Sequence, residues 1–283
     1  VRLIETFGIE GPYTCLSHCW GNSEHLPLRT LEGGHKIKDE EGNFTGQYVP
    51  RNLDKHMDEI PFKHLPATFR DAVLFLRISR VARYVWIDSL CIIQESKEDW
   101  GREAVKMAGI YQNSLLTLAA TKSRDSTGGL FSKSDPKYDT RTFSVAYTDD
   151  ETYTVCWRRA RPHWFGCLDR EEHQPAPLLL SRAWVYQERL LSPQTLHVEL
   201  LWECRQESTC ECGLWIRSPK QCLRFDSIER VKGWSGVHHS FTSEKTSTIE
   251  GRWRSAIMEY SRLNLTNTND RLPAIAGIAK QAQ

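Results

Sequence analysis

The chain has 283 residues, 40% hydrophobic and 26% charged, enough for one large domain or a domain with an appendage. Its 37 basic and 36 acidic residues leave a formal net charge of +1. That balance supplies no basic excess to neutralise phosphates, and argues against nucleic acid as the main partner.

The first element in chain order is "YTCLS" (13–17), a short apolar strand ending at the polar turn "HCWGN". From about Asn22 to His64 the chain is rich in Gly, His and charge, and reads as a long inserted or mobile loop. "LPATFRDAVLFLR" then starts a helix, with Pro66 suited to its first turn and Phe69, Ala72, Val73 and Leu76 on one apolar face. "YVWIDSLCII" is apolar enough to be a strand covered on both faces, as in a parallel sheet. In "KEDWGREAVKMAGIYQ", Trp100, Ala104, Met107 and Tyr111 form a helical stripe. "SLLTLAAT" (114–121) is another buried strand. This alternation predicts right-handed crossovers and a parallel sheet. Beyond it, "RTFSVAYTDDETYTVCWRRA" reads as a β-hairpin turning near Asp149 and Asp150. "SRAWVYQERLLS" reads as a helix, "TLHVELLWECR" as a strand, and "STIEGRWRSAIMEYSRLNLT" and "DRLPAIAGIAKQ" as helices.

The chain begins at Val1 without a signal peptide pattern and stops at Gln283 inside a helical pattern, so it reads as a piece of a longer protein. No apolar run approaches the ~20 residues that span a bilayer. The nine Cys are irregularly spaced. Cys15, Cys19 and Cys91 read as buried free thiols, and a reducing, cytoplasmic setting is expected. Cys204, Cys210, Cys212 and Cys222 cluster without a C-x-x-C pair, so no metal site is assigned.

Ligands of open parallel sheets bind outside the carboxyl ends of the strands. Ser17, His18 and Trp20 follow the first strand, Asp88 and Ser89 lie within the second with Gln94 at its end, and Glu103 lies about one turn into the next helix. Glu103 is either an exposed acid paired with Lys106 or Lys97, or a catalytic carboxylate against an aromatic wall, where a glycosidic bond breaks through an oxocarbenium-like transition state. Asp88 either bonds a loop or an Arg such as Arg70, or orients a ligand. Trp20 and Gly21 make either a packed turn or a stacking platform. In "RAWVYQERLL", the group Arg182, Trp184, Gln187 and Glu188 is either a clamp between the later half and the core or a second set of site residues. Cys19 beside His18 is the weakest nucleophile reading, because adjacent residues point apart. The common phosphate-loop, dinucleotide and nucleophile-elbow motifs are absent.

Together these stretches resemble the fungal heterokaryon-incompatibility (HET) domain. The resemblance runs through "YTCLSHCWG", "LPATFRDAV", "YVWIDSLCIIQESKEDWGREAVKMAGIYQNSLLTLAAT", "GGLF", "SRAWVYQERLLSPQTLHV", "LLWECR" and "NDRLPAIAGIAK", with His18 where the family commonly has Tyr. HET domains act in non-self recognition and trigger programmed cell death. They are distantly similar to TIR domains, many of which hydrolyse NAD⁺ with a Glu on the helix after a central strand, just beyond a Trp. The resemblance implies an α/β fold with a flavodoxin/TIR-like parallel sheet, helices on both faces, and a C-terminal half elaborated by a β-hairpin and helices. It implies one HET domain over 1–283, with a core at 1–125 that carries the 22–64 insertion, and an elaboration at 126–283. By that resemblance Glu103 is the catalytic acid, beyond Trp100 by three residues where TIR domains usually have one more. Ser17, His18, Trp20, Arg70, Asp88 and Trp100 would bind substrate, and Glu188 is the next candidate acid. The expected activity is NAD⁺ nucleosidase, with NAD⁺ or a related nucleotide as substrate and no cofactor. A homo-oligomer is expected on activation, with sensor domains or proteins upstream. The alternative is a non-catalytic module that triggers death by assembling with partners.

Overall fold

The computed structural model describes residues 1–22, 26–33, 35–38, 44–131, 136–147, 151–159, 177–197, 201–204, 208–210 and 249–281. Strand β1 (Tyr13–Ser17) is followed by β2 (Thr30–Leu31), a hairpin of β3 (His35–Lys38) and β4 (Phe44–Val49), and helices α1 (Leu53–Asp58) and α2 (Ala67–Ser79). Then come β5 (Tyr84–Trp86), the one-turn α3 (Asp88–Cys91), β6 (Ile93–Gln94), α4 (Lys97–Gln112) and β7 (Leu116–Ala119). The later half holds the hairpin β8 (Arg141–Ala146) and β9 (Thr152–Trp157), helix α5 (Ala183–Leu191), strands β10 (Gln194–His197), β11 (Leu201–Cys204) and β12 (Ser208–Cys210), and helices α6 (Ile249–Tyr260) and α7 (Pro273–Gln281).

Six strands form the main sheet in the order β12-β11-β10-β7-β1-β5. β10, β7, β1 and β5 are parallel, whereas β11 and β12 are antiparallel additions on the β10 side. In chain order the parallel strands run second, first, third, fourth, which is the flavodoxin-like doubly wound arrangement. From β1 the chain moves to one side, to β5, and then crosses to β7 on the other. The topological switch point therefore lies between β1 and β7.

The pleat of β1 sorts the core. Leu16 packs with Leu118 of β7 against Phe69, Ala72 and Val73 of α2. Cys15, on the opposite side of the strand, packs against Met107 and Tyr111 of α4. Helices thus cover both faces, and all four β7 residues are buried as the apolar sequence requires. Arg80, in the left-handed region at φ 56°, ends α2 and donates its N–H to Leu76 O. Among the described residues no helix is long and apolar enough to cross a membrane.

Three expectations need correction. "YVWIDSLCII" is not one strand: it stops at Trp86, and Asp88 opens α3, its Oδ1 accepting the Ser89 N–H at 2.7 Å. A short polar side chain that bonds its neighbouring backbone favours a turn over a ladder. "TLHVELLWECR" is an antiparallel pair, β10 and β11, not a single strand. The 22–64 stretch is not a structureless loop, since its described residues form β2, β3, β4 and α1. β2 pairs in parallel with β6, and Thr30 Oγ1 donates to Leu90 O at 2.7 Å. The predicted hairpin is present, with Ala146 opposite Thr152. Its turn at Asp149 and Asp150 lies outside the described residues.

The C-terminal helix is docked by a glycine contact. Gln187 of α5 accepts the Gly277 N–H at 2.8 Å, and a Cβ at Gly277 would lie 2.2 Å from the Ala108 Cβ. Gly277→Ala is therefore expected to destabilise the protein by about 1–3 kcal/mol in urea unfolding. Gly101, within α4 with open space around it, is the counter-case. Gly101→Ala is expected to stabilise by about 0.5–1 kcal/mol.

Candidate functional site

At the carboxyl end of β1 the buried polar groups converge. Ser17 shares the sheet face of Cys15 by strand alternation, so it faces the side covered by α4. Glu188 reaches the same place from α5, whose buried positions include Val185, Gln187, Glu188 and Leu191. Glu188 is 6% exposed, Ser17 1%, His18 3% and Tyr111 2%. A carboxyl group so enclosed is pushed up to about pKa 7, first by desolvation and then by the Asp88 charge. The Ser17 and Tyr111 hydroxyls and the Arg182 guanidinium act in the opposite direction, stabilising the carboxylate. Burial raises the Tyr111 phenol well above its usual range, so it stays protonated as a donor.

Asp88 is the outer member of the cluster. Trp20 donates its indole N–H to Asp88 Oδ2 at 2.9 Å, and His18 Nδ1 lies 3.7 Å from Oδ1. Burial lowers the His18 pKa below its ordinary value although Asp88 pulls it up, so the ring is neutral at pH 7. His18 also meets Phe69 edge to face, with centroids 4.9 Å apart. Arg182, just before α5, donates to the His18 carbonyl at 2.7 Å and ties that helix to the β1 turn. Ser17 Oγ and both ring nitrogens of His18 are buried without a hydrogen-bond partner of normal geometry. Unpaired buried polar atoms are costly. Ser17 Oγ is the one on the α4 face with Glu188, while the His18 ring turns to Phe69 on the other.

The structure brings together Ser17, His18, Trp20, Asp88, Arg182 and Glu188. It does not add Glu103, whose Oε1 accepts from Lys106 Nζ at 2.8 Å on α4 with Arg102 Nε 3.7 Å away. Trp100 is partly exposed and lines a groove of about 1000 Å³ between α4 and α7. Arg70 sits half-buried on α2 and is not a partner of Asp88. Gln94 donates to the Asp88 and Ile92 carbonyls and fixes the α3 turn. Trp184 and Gln187 are clamps: the indole N–H donates to Asp270 Oδ2 at 3.0 Å, and Gln187 holds Gly277. Tyr111 was legible only as the end of an apolar stripe, because its hydroxyl reports on α5, which no local pattern relates to α4. Cys15 and Cys19 are buried free thiols as expected, whereas Cys91 is half-buried. Cys212 and Cys222 lie outside the described residues.

A family model described as heterokaryon incompatibility protein (HET) matches residues 13–188, more than half of the chain. The chain belongs to the HET family. The match runs from the first residue of β1 to Glu188, so it encloses every member of the cluster. Membership ties the HET domain to heterokaryon incompatibility and its cell-death response. No curated protein and no solved structure matches the chain.

Proposed function

We propose that this HET domain is a cell-death effector that hydrolyses the nicotinamide–ribose bond of NAD⁺ or a related nucleotide, with Glu188 as its catalytic carboxylate. The observation that carries this reading is a desolvated Glu188 beside the buried Ser17 hydroxyl, at the carboxyl end of β1 and next to the switch point. The comparison with TIR domains points the same way. Their catalytic Glu follows a central strand, a Trp preceding it by four residues. Glu103 follows β5, the edge of the sheet. Glu188 lies on α5, the first α-helix described after the central strand β7, beyond the β8–β9 hairpin, and Trp184 precedes it by four residues.

In this reading the bond from C1′ of the ribose to the nicotinamide nitrogen breaks, and its electron pair neutralises the pyridinium ring. Positive charge develops on the ribose, and the Glu188 carboxylate stabilises it in a water-poor setting. Water then adds to C1′ and gives up its proton to Glu188 or to solvent. The Ser17 and Tyr111 hydroxyls and Arg182 favour the carboxylate form, and Asp88 opposes it. Trp20, half-buried, supplies a flat face for a ring.

The test is NAD⁺ loss and nicotinamide release by the purified protein at high concentration, compared with Glu188→Gln and Glu103→Gln. Cleavage that falls with Glu188→Gln and persists with Glu103→Gln supports the assignment. Cleavage abolished only by Glu103→Gln moves the chemistry to α4. No cleavage even on forced oligomerisation leaves the non-catalytic assembly module.

A further inference from the structure

A second cavity opens directly after β7, on the other side of the switch point from His18 and Cys19. It measures about 390 Å³ and is lined by Lys122, Arg124, Asp125, Gly128, Gly129 and Phe131 among others. That volume is within the range of small-ligand pockets. The segment that forms it is held in place from several sides. Leu130 donates its N–H to Asp71 Oδ2 at 2.8 Å, and the Thr68 N–H donates to Ser126 O at 3.0 Å. Asp125 Oδ1 accepts the Thr127 N–H at 2.8 Å, and Ser123 Oγ donates to Gly129 O. Gly129 has φ 82°, and a Cβ there would lie 2.9 Å from Asp71 Oδ2, so the turn requires glycine.

The lining chemistry is mixed in a particular way. Lys122 and Arg124 are exposed cations, Gly128 leaves exposed backbone without a side chain, and the Phe131 ring is 56% exposed. Cations with bare backbone suit phosphate, a carboxylate suits a ribose diol, and an exposed ring suits a base. Cys19 links the two places: it packs with Ala119 at the end of β7 and Val185 of α5, and its thiol feels the charges of Arg182, Glu188 and Asp125.

We propose that the cavity formed by residues 122–131 binds a nucleoside diphosphate, with Arg124 on the phosphates and Phe131 against the base. This rests on the reading of Glu188 as the cleaving group, since it places the diphosphate half of the dinucleotide beyond β7 and the nicotinamide–ribose bond at β1. The test is calorimetric titration of ADP into the wild-type chain, Glu188→Gln, Arg124→Ala and Phe131→Ala, with adenosine as the phosphate-free comparison. Both mutated cavity residues are exposed, and unchanged thermal unfolding would verify that the variants fold. ADP is expected to bind wild type and Glu188→Gln alike, and to bind Arg124→Ala and Phe131→Ala at least ~10-fold more weakly. Adenosine is expected to bind wild type at least ~10-fold more weakly than ADP. ADP binding that ignores both substitutions, or no ADP binding at millimolar concentration, overturns the subsite. If ADP binds through Arg124 but NAD⁺ is not cleaved, the subsite stands and the catalytic reading of Glu188 falls. If Glu188-dependent cleavage occurs without ADP binding, the reverse holds.

Discussion

Glu188→Gln is expected to lower NAD⁺ cleavage by at least ~100-fold while making the fold more stable at alkaline pH. The two effects have one cause. Glu188 is enclosed, and desolvation pushes its pKa up to about 7 from an ordinary 4.5. In the unfolded chain the group ionises near its ordinary value. Between these two values the folded protein holds a proton that the unfolded chain has lost, so stability declines as pH rises from about 4.5 to about 7 and levels off above it. A shift of this size corresponds to about 3 kcal/mol lost by pH 8, at 1.36 kcal/mol per pKa unit. Glutamine keeps the shape, replaces one carboxyl oxygen by an NH2 donor, and carries no charge. The variant should therefore match wild type near pH 4, exceed it by about 2–3 kcal/mol at pH 8, and lose most of the pH dependence between. Activity in the wild type should climb through pH 7, because the carboxylate is the working form. Urea unfolding at several pH values, run beside the NAD⁺ assay, reads both. A variant that is inactive yet no more stable at pH 8 would separate the site from the desolvated carboxylate.

The second large effect concerns the neighbour of Glu188 on α5. Arg189 donates Nε to Glu203 Oε2 at 2.8 Å and Nη2 to Oε1 at 2.7 Å. Glu203 on β11 is fully buried and also lies 3.0 Å from His197 Nε2, whose Nδ1 is 2.9 Å from Thr121 Oγ1. Burial lowers Arg189 to about pKa 10, with Glu259 opposing, so it remains a cation inside the protein. Glu203→Ala removes its bidentate partner and is expected to cost about 3–5 kcal/mol. Replacing both residues with Met removes the charges together, and should recover at least about half of that loss. A cost under about 1 kcal/mol for Glu203→Ala would mean that Glu259 alone satisfies the guanidinium. Because Arg189 adjoins Glu188, a loosened α5 would lower activity as well as stability.

The centre of the sheet was legible because β1 and β7 are buried on both faces. "YTCLS" and "SLLTLAAT" have no polar side to solvate, and β1 and β7 follow. The α4 stripe was legible for a similar reason, with Ala104, Met107 and Tyr111 buried where the helical period puts them. The strand order was not written in any local pattern. Whether β5 lies at the edge or the centre depends on pairings between residues about 70 positions apart, such as Thr14 with Val85. That order decides which helix follows a central strand, and so which glutamate stands near the switch point. Spacing alone put Glu103 near Trp100, but the Lys106 ammonium gives its carboxylate a surface partner. The role of Arg182 was hidden too, since its hydrogen bond to the His18 carbonyl spans 164 positions.

The clamp on α5 bears on how this domain should be cut. A fragment ending at residue 188, where the family match stops, would break α5 three residues before its end at Leu191. It would lack β10 and leave β7 with one open edge of unpaired peptide groups, a template for aggregation. Trp184 and Gln187 would lose Asp270 and Gly277. The portion that carries the family likeness is thus shorter than the portion packed around it. Production of this catalytic candidate should keep the chain through Gln281, where α7 ends.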